Sequence, residues 1–351
     1  MLWIVQPLVG AALVVVALYD LASTVIGASR GAGPISGRVA AGIWHLLLKI
    51  HRRGEGHPVM LRRSGPSILL VIIVLWVTML IIGWAMIFGG SNSLLQVDTD
   101  EPLAFLGKVY FAAATILGRG SSNARPQGDF WDFMEALSGL TGIALLSLSI
   151  AYVIPVVQAV VTKRKVALYI SSLGETPEKI LDHAWNGRDL ADLNLHIIAL
   201  TPMVADLAER HLAYPVVHYF HSSEQSTAIG PAIVSLDEVL TINARVVDTE
   251  HRVSDSATIP LRQAITHFLD TLEFGFIDPV DEHVDIAAVD RLEEAGVPVV
   301  EELPEDPFSE TADRRQLLRG YLEHDGWHML DLLPRAGEEH ETREHETEAA
   351  E

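Results

Sequence analysis

The chain of 351 residues contains no cysteine. This absence excludes a disulfide scaffold, a cysteine-ligated metal or iron–sulfur site and a thiol nucleophile, although it leaves the redox compartment open. The sequence also lacks a Walker A motif, a strand-linked G-x-G-x-x-G, a G-x-S-x-G and an H-E-x-x-H. We therefore expect no enzyme, no resident cofactor and no metal site.

Positive charge is scarce in the second half of the chain. Residues 166–351 hold 12 Lys and Arg against 38 Asp and Glu, whereas residues 1–165 hold 13 against 8. Phosphate binding needs concentrated basic residues, so a nucleic acid is not an expected partner. The acid excess fits either a high-salt habitat or a solubilising or cation-attracting surface.

Charged residues are absent from two long apolar segments, residues 67–89 and 136–161. Each is long enough to cross a hydrocarbon core of roughly 30 Å as a helix. Residues 2–27 form a third apolar run, which lacks the basic start of a signal peptide and is therefore predicted to be a span as well. Asp20 near its end is predicted to pair with Arg30 or the basic loop or to reach the interface, and the alternative is an ion or proton relay.

The flanking loops indicate the orientation of these spans. The first loop contains seven basic residues and a single acid, Glu55, and a second basic group, residues 163–165, follows the last span. The positive-inside rule places both in the cytoplasm, so we expect a multi-pass inner-membrane protein with its N-terminus outside. Residues 39–53 have one apolar face and are predicted to lie in the inner interface, as a slide helix or a plain anchor.

The predicted outer loop contains a shorter apolar segment. Residues 102–117 read PLAFLGKVYFAAATIL and continue into Gly118, Arg119 and Gly120. Sixteen residues are too few to span a bilayer, so a re-entrant or interfacial helix is predicted. Non-helical backbone at membrane depth persists only where it is buried or lines water. The two glycines would let backbone carbonyls turn toward an ion.

This order of span, short helix, Gly-x-Gly loop and span resembles the pore module of prokaryotic potassium channels. The extra N-terminal span and the cytoplasmic helices resemble a branch of uncharacterised prokaryotic ion channels. The matching selectivity filter is Thr115, Ile116, Leu117, Gly118, Arg119 and Gly120. The resemblance implies a homotetramer in the lipid bilayer that conducts potassium or another monovalent cation, because each chain supplies one pore loop.

Three positions depart from the family's usual Thr-Thr-Val-Gly-Tyr-Gly-Asp. Ile116 replaces a threonine, Arg119 replaces an aromatic residue and Ser121 replaces an acid. A guanidinium stays charged and is costly to leave unpaired at membrane depth. We therefore predict that Arg119 pairs with Asp129 or Asp132, in the same or a neighbouring subunit. The alternative function is a non-conducting membrane sensor or scaffold with a degenerate pore loop.

The last span contains small residues at Gly139 and Gly142, which predict either a gating hinge or close helix packing. Beyond it, Thr176 is a predicted N-cap, and further helices are predicted at residues 189–210, 230–247, 259–272 and 312–323. His218, His221 and Glu224 have the spacing of one helical face, which suggests either a zinc site or histidines that are packed or exposed. The packed or exposed alternative is favoured.

The sequence therefore predicts an all-α membrane protein with three transmembrane helices, a re-entrant pore helix and loop, and an α-helical cytoplasmic domain. The expected domains are an N-terminal span (1–28), a basic loop with an amphipathic helix (29–66), a pore module (67–165), a cytoplasmic domain (166–335) and a disordered acidic tail (336–351).

Overall fold

The structure is a computed structural model that describes residues 2–27, 32–53, 58–90, 92–121, 123–273, 277, 279–280, 292–300 and 311–328. The predicted acidic tail, residues 336–351, lies outside these ranges. The described α-helices are α1 (Leu2–Ile26), α2 (Pro34–Arg53), α3 (Pro58–Arg62), α4 (Ser64–Gly89), α5 (Phe105–Ile116), α6 (Asp129–Leu173), α7 (Pro177–Ala184), α8 (Leu193–Ala213), α9 (Ile229–Arg245), α10 (Asp255–Glu273) and α11 (Ala312–His324).

Three of these helices are long and apolar enough to cross a membrane. They cover residues Ile4–Ile26, Ser64–Gly89 and Asp129–Leu173. The coarse prediction of an all-α membrane protein with three apolar spans is therefore confirmed. α5 is a shorter apolar helix between the second and third spans.

A two-stranded sheet interrupts the otherwise helical fold between α4 and α6. Strands β1 (Leu94–Gln96) and β2 (Ala124–Pro126) pair antiparallel, with Leu95 opposite Arg125. The exposed Arg125 guanidinium lies 2.6 Å from the Asp100 carboxylate on the same loop. The three-residue strands were too short to be predicted from side-chain alternation.

The chain divides into two compact units. The first comprises Met1–Arg53, Arg63–Gln158 and Leu212–Tyr219. In it, α1 packs along α4 and α5 packs on α4. The 3₁₀ helix Pro215–Tyr219 belongs to this unit, where the Tyr219 carbonyl accepts a hydrogen bond from Ser64 Oγ at 2.7 Å. The Trp44 ring packs against His218 and Tyr219.

The second unit comprises Gly54–Arg62, Ala159–His211 and Phe220–Glu351. Its central helix is α9, in which every residue from Ile229 to Asn243 is buried. α7, α10 and α11 pack against α9. Thr176 caps α7 as predicted, because its side chain accepts a hydrogen bond from the Lys179 amide.

The structure corrects one helix prediction in the second half of the chain. His218, His221 and Glu224 do not share a helical face, because the helix that begins at Pro215 is a 3₁₀ turn that ends at Tyr219, and residues 220–224 are not helical. A proline fixes the backbone and cannot donate a hydrogen bond to the preceding turn, so α8 ends at Ala213.

Candidate functional site

The short helix α5 is fixed to the C-terminal end of α4. Lys108 is 6% exposed, and its Nζ donates a hydrogen bond to the Phe88 carbonyl at 2.9 Å. The Phe88 and Phe111 rings meet edge to face at 5.5 Å. A cation at a helix C-terminus satisfies a carbonyl that has no partner within the helix. This contact explains how an apolar helix accommodates a lysine.

In the loop after α5, the backbone amides are hydrogen-bonded but, among the described residues, the backbone carbonyls are not. Gly118 and Gly120 have φ of 73° and 69°, a left-handed conformation that favours glycine. The amides of residues 117–120 donate hydrogen bonds back to carbonyls of residues 113–115 in the last turn of α5. Within the part of the chain that the structure describes, the carbonyls of residues 117–120 accept no hydrogen bond. The loop therefore presents four consecutive backbone acceptors.

The predicted filter side chains have different environments. Thr115 Oγ1 donates a hydrogen bond to the Phe111 carbonyl at 2.9 Å, so this hydroxyl is hydrogen-bonded within α5. Ile116 is 6% exposed, whereas Leu117 is 69% exposed. Residues 118–120 are exposed in the single chain.

The third span packs closely against the end of α5. A Cβ atom at Gly142 would collide with the Ile116 carbonyl, whereas one at Gly139 would make ordinary contact with Thr115. Gly142 therefore has a packing role, and a hinge at Gly139 and Gly142 stays a prediction. Trp84 Nε1 donates to Thr141 Oγ1 at 3.0 Å, which joins α4 to α6.

Arg119 is exposed at the tip of this loop. Among the described residues of one chain, no ion pair joins it to Asp129 or Asp132, which are both exposed in the first turn of α6. The predicted pairing with an aspartate of a neighbouring subunit stays a prediction. Arg125, which follows on strand β2, does form an ion pair, with Asp100.

A second polar site surrounds Asp20, whose side chain is fully buried in α1. Its carboxylate accepts hydrogen bonds from the Ile35 amide at 2.7 Å, from the amide and hydroxyl of Ser36, and from Trp76 Nε1 at 2.8 Å. The carboxylate thus caps the N-terminus of α2 and joins it to α1 and α4. Asp20 therefore has a structural role through partners that the sequence did not identify, and the predicted partner Arg30 lies outside the described residues.

The second unit contains buried ion pairs that sequence reasoning missed. Asp237 of α9 is fully buried, and Arg314 of α11 lies 2.8 Å from it, with Arg262 of α10 at 3.4 Å. Glu238 lies 2.8 Å from Arg315. Burial raises the pKa of Glu238, and the Arg315 guanidinium opposes this shift. The signal was visible as two adjacent acids inside the apolar run of α9.

Another buried pair joins α6 to the residue that follows α11. Lys163 and Asp325 lie 3.8 Å apart and are 4% and 1% exposed. Lys163 Nζ also donates to the Phe220 carbonyl at 3.0 Å, and the His221 ring nitrogen lies 2.6 Å from the Asp325 carbonyl. Burial raises the pKa of Asp325, while the charges of Lys163 and His221 oppose this shift.

The histidines are distributed among separate contacts. His218 packs on Trp44, and His211 packs edge to face on Phe268 at 5.2 Å. In the described ranges, no group of three or more His, Cys, Asp and Glu side chains has the arrangement of a metal site.

These elements define an all-α membrane protein in which a short apolar helix and a glycine-containing loop lie between the second and third spans. No protein-family model and no solved structure matches the chain. The chain is similar to the uncharacterized membrane protein YdjJ of Bacillus subtilis (strain 168), with 27% identity over 316 residues. The alignment covers 90% of this chain and 92% of that protein.

Proposed function

We propose that the chain is a subunit of a tetrameric, potassium-type cation channel in the inner membrane. The observation that carries this proposal is the loop of residues 117–120, in which the amides are bonded to α5 and the carbonyls have no described partner. Backbone carbonyls can replace the hydration shell of a monovalent cation. The loop therefore has the donor chemistry that such a filter needs.

The short helix supports the same chemistry. The C-terminal end of α5 meets the loop at Leu117, and a helix C-terminus carries a partial negative charge that favours cations. The arrangement attracts a cation to the loop without requiring an acidic side chain. This matters because Ser121 occupies the position of the family's filter acid.

Self-association supplies the remaining walls of the filter. One chain contributes one row of carbonyls, and a ring of carbonyls that surrounds a cation requires four loops. In the first unit, α6 exposes a row of large apolar side chains that are three, four or seven residues apart. They are Leu140, Ile143, Ile150, Ile154 and Val157. The spacing of this row is that of an interhelical seam.

The direct test of conduction is cation flux through proteoliposomes that contain the full chain. We expect uptake of rubidium that exceeds that of protein-free vesicles and that is inhibited by external potassium but not by equimolar sodium. Silence of the wild type under a potassium gradient would contradict the proposal.

A basic first loop also predicts that a protease added outside intact cells leaves the C-terminal half uncut.

The alternative, a non-conducting sensor or scaffold, is favoured by Arg119. This exposed guanidinium has no acidic partner among the described residues of its own chain, and four such charges near a filter oppose cation entry. Ile116 also lacks the hydroxyl that completes an inner cation site. If the wild type is silent while the double variant Ile116→Thr, Arg119→Tyr conducts, the scaffold function is correct. Arg125→Tyr in the same outer loop is the matched control.

A further inference from the structure

Helix α2 presents three different faces in the first unit. Ser36, Ala40, Trp44 and Leu48 are spaced four residues apart and are buried against the protein. The helix contains no acidic residue. Its two remaining faces are open to the surroundings.

One open face is apolar and the other is basic. Leu46 and Ile50 are 58% and 46% exposed, and they lie on the same side of the helix. Arg38, His45 and Lys49 are exposed on a separate side. Arg38 and Lys49 form no ion pair with an acid in the described ranges. An exposed apolar strip beside a basic strip is typical of helices that lie in a membrane interface.

The position of Asp20 sets the level of α2 along α1. Asp20 lies six residues before the last residue of α1, which corresponds to about 9 Å along the helix axis. The first turn of α2 is at this level, because its amides bind the Asp20 carboxylate. An interfacial helix buries its apolar face by about 5–10 Å. The contact with Asp20 therefore holds the start of α2 within this distance of the end of the first apolar helix.

We propose that α2 lies in the bilayer surface and that Arg38 and Lys49 bind the phosphate groups of anionic phospholipids. Leu46 and Ile50 enter the acyl-chain boundary while the basic side chains reach the headgroups. The partner is the lipid surface rather than a protein, because the exposed side chains match both layers of that surface. The inference stands on the first unit alone and is independent of whether the pore conducts.

The depth of the two faces is testable because the chain has no native cysteine. We would attach a nitroxide at Leu46→Cys or His45→Cys of the full chain in phosphatidylcholine vesicles that contain phosphatidylglycerol. Position 46 is expected to be relaxed preferentially by oxygen, and position 45 by a water-soluble nickel complex. Equal, water-like accessibility at both positions would overturn the proposal.

Lipid preference is measured with spin-labelled phosphatidylglycerol and phosphatidylcholine in the same vesicles. We expect the wild type to prefer phosphatidylglycerol, and the double variant Arg38→Gln, Lys49→Gln to lose up to about fivefold of this preference per charge at low salt. The pair Lys179→Gln, Arg188→Gln, also exposed, is the matched control and should retain it.

Three further measurements make the result decisive. The charge-conserving double variant Arg38→Lys, Lys49→Arg should keep the preference, which separates lost charge from lost folding. High salt should weaken the preference by screening. An unchanged preference in the Gln variant would overturn the proposal. So would displacement of lipid by inorganic phosphate beyond that caused by chloride of equal ionic strength, because that result indicates a site for soluble anions.

Discussion

Gly118 and Gly120 hold the loop after α5 in a conformation that other residues seldom adopt. An alanine at Gly118 would be forced into the left-handed region at a cost of about 1–2 kcal/mol, or would release the amides bonded to α5. We predict that Gly118→Ala lowers rubidium flux at least tenfold in proteoliposomes.

The control for this prediction is Gly42→Ala, since a Cβ at Gly42 meets open space in a helix. It should leave flux unchanged and raise the thermal midpoint slightly, because alanine favours helix. Normal flux in Gly118→Ala would show that the loop carbonyls do not form the ion path.

His211 gives a prediction for pH dependence. Burial lowers the pKa of His211 to about 3, and the nearby Lys163 charge contributes to this shift. Because the folded pKa is below the unfolded value of about 6.5, stability is fully present above pH 6.5 and declines as the pH falls. We predict a loss of about 2 kcal/mol between pH 7 and pH 5 from this residue.

The measurement compares chemical unfolding at the two pH values for the wild type and His211→Gln. The variant should have a smaller pH dependence, although its stability at pH 7 should be lower because the His211–Phe268 contact is lost. His267→Gln, at an exposed histidine that pairs with Glu209, should keep the wild-type difference. An equal difference in all three proteins would show that His211 titrates normally.

At the scale of helices, the ion pairs around α9 give a contrast between buried and surface charges. Asp237→Ala leaves the guanidinium of Arg314 without its buried partner, and removing one member of such a pair costs about 3–5 kcal/mol. We predict a loss of this size in the free energy of unfolding of the second unit.

The surface comparison is Asp206→Ala, which removes an ion pair four residues apart on α8 at 2.7 Å. Its effect should be below about 0.5 kcal/mol, because exposed helix pairs contribute little. Equal effects of the two substitutions would mean that solvent screens Asp237 as well. Chemical unfolding followed by tryptophan fluorescence measures both.

Several helices could be predicted from the sequence because their signals are local. Apolar length predicted α1 and α4 to within a few residues, and Thr176 predicted the start of α7. The last span was predicted to end at residue 161, but α6 continues to Leu173. Lys163 was counted as a charge outside the span, whereas its partners, Asp325 and the Phe220 carbonyl, are distant in sequence.

Some residues of the candidate site could also be predicted from the sequence, whereas others could not. Gly118 and Gly120 were identified from spacing, since a left-handed backbone requires a particular residue type. The partners of Asp20 could not be identified, because Ser36 and Trp76 lie on other helices and only packing brings them to the carboxylate. The same limit applies to the arginines that surround Asp237.

For the whole molecule, the channel proposal requires several chains to associate through α6. Ile154 is 54% exposed in the single chain, whereas Leu145 on the opposite side of the helix is 5% exposed. We predict that oxidation of Ile154→Cys in membranes yields a disulfide-linked dimer and that Leu145→Cys does not. The mass of the wild type in mild detergent should correspond to four chains.

The cysteine-free background means that any such disulfide comes from the introduced residue. A monomeric mass together with no cross-link at Ile154 would assign this face of α6 to lipid. The tetrameric channel would then be excluded. The lipid-binding proposal for α2 would be unaffected.

The buried carboxylate of Asp20 also constrains the order in which the chain can be inserted into the membrane during synthesis. When α1 leaves the ribosome, Ser36 is still inside the exit tunnel and Trp76 has not been made, so the carboxylate has no partner and insertion of α1 alone costs up to about 3 kcal/mol more. Stable integration of the first span should therefore wait until α4 has been synthesised. Nascent chains that end before Trp76 should be integrated less completely than the same chains with Asp20→Leu, as glycosylation mapping would report.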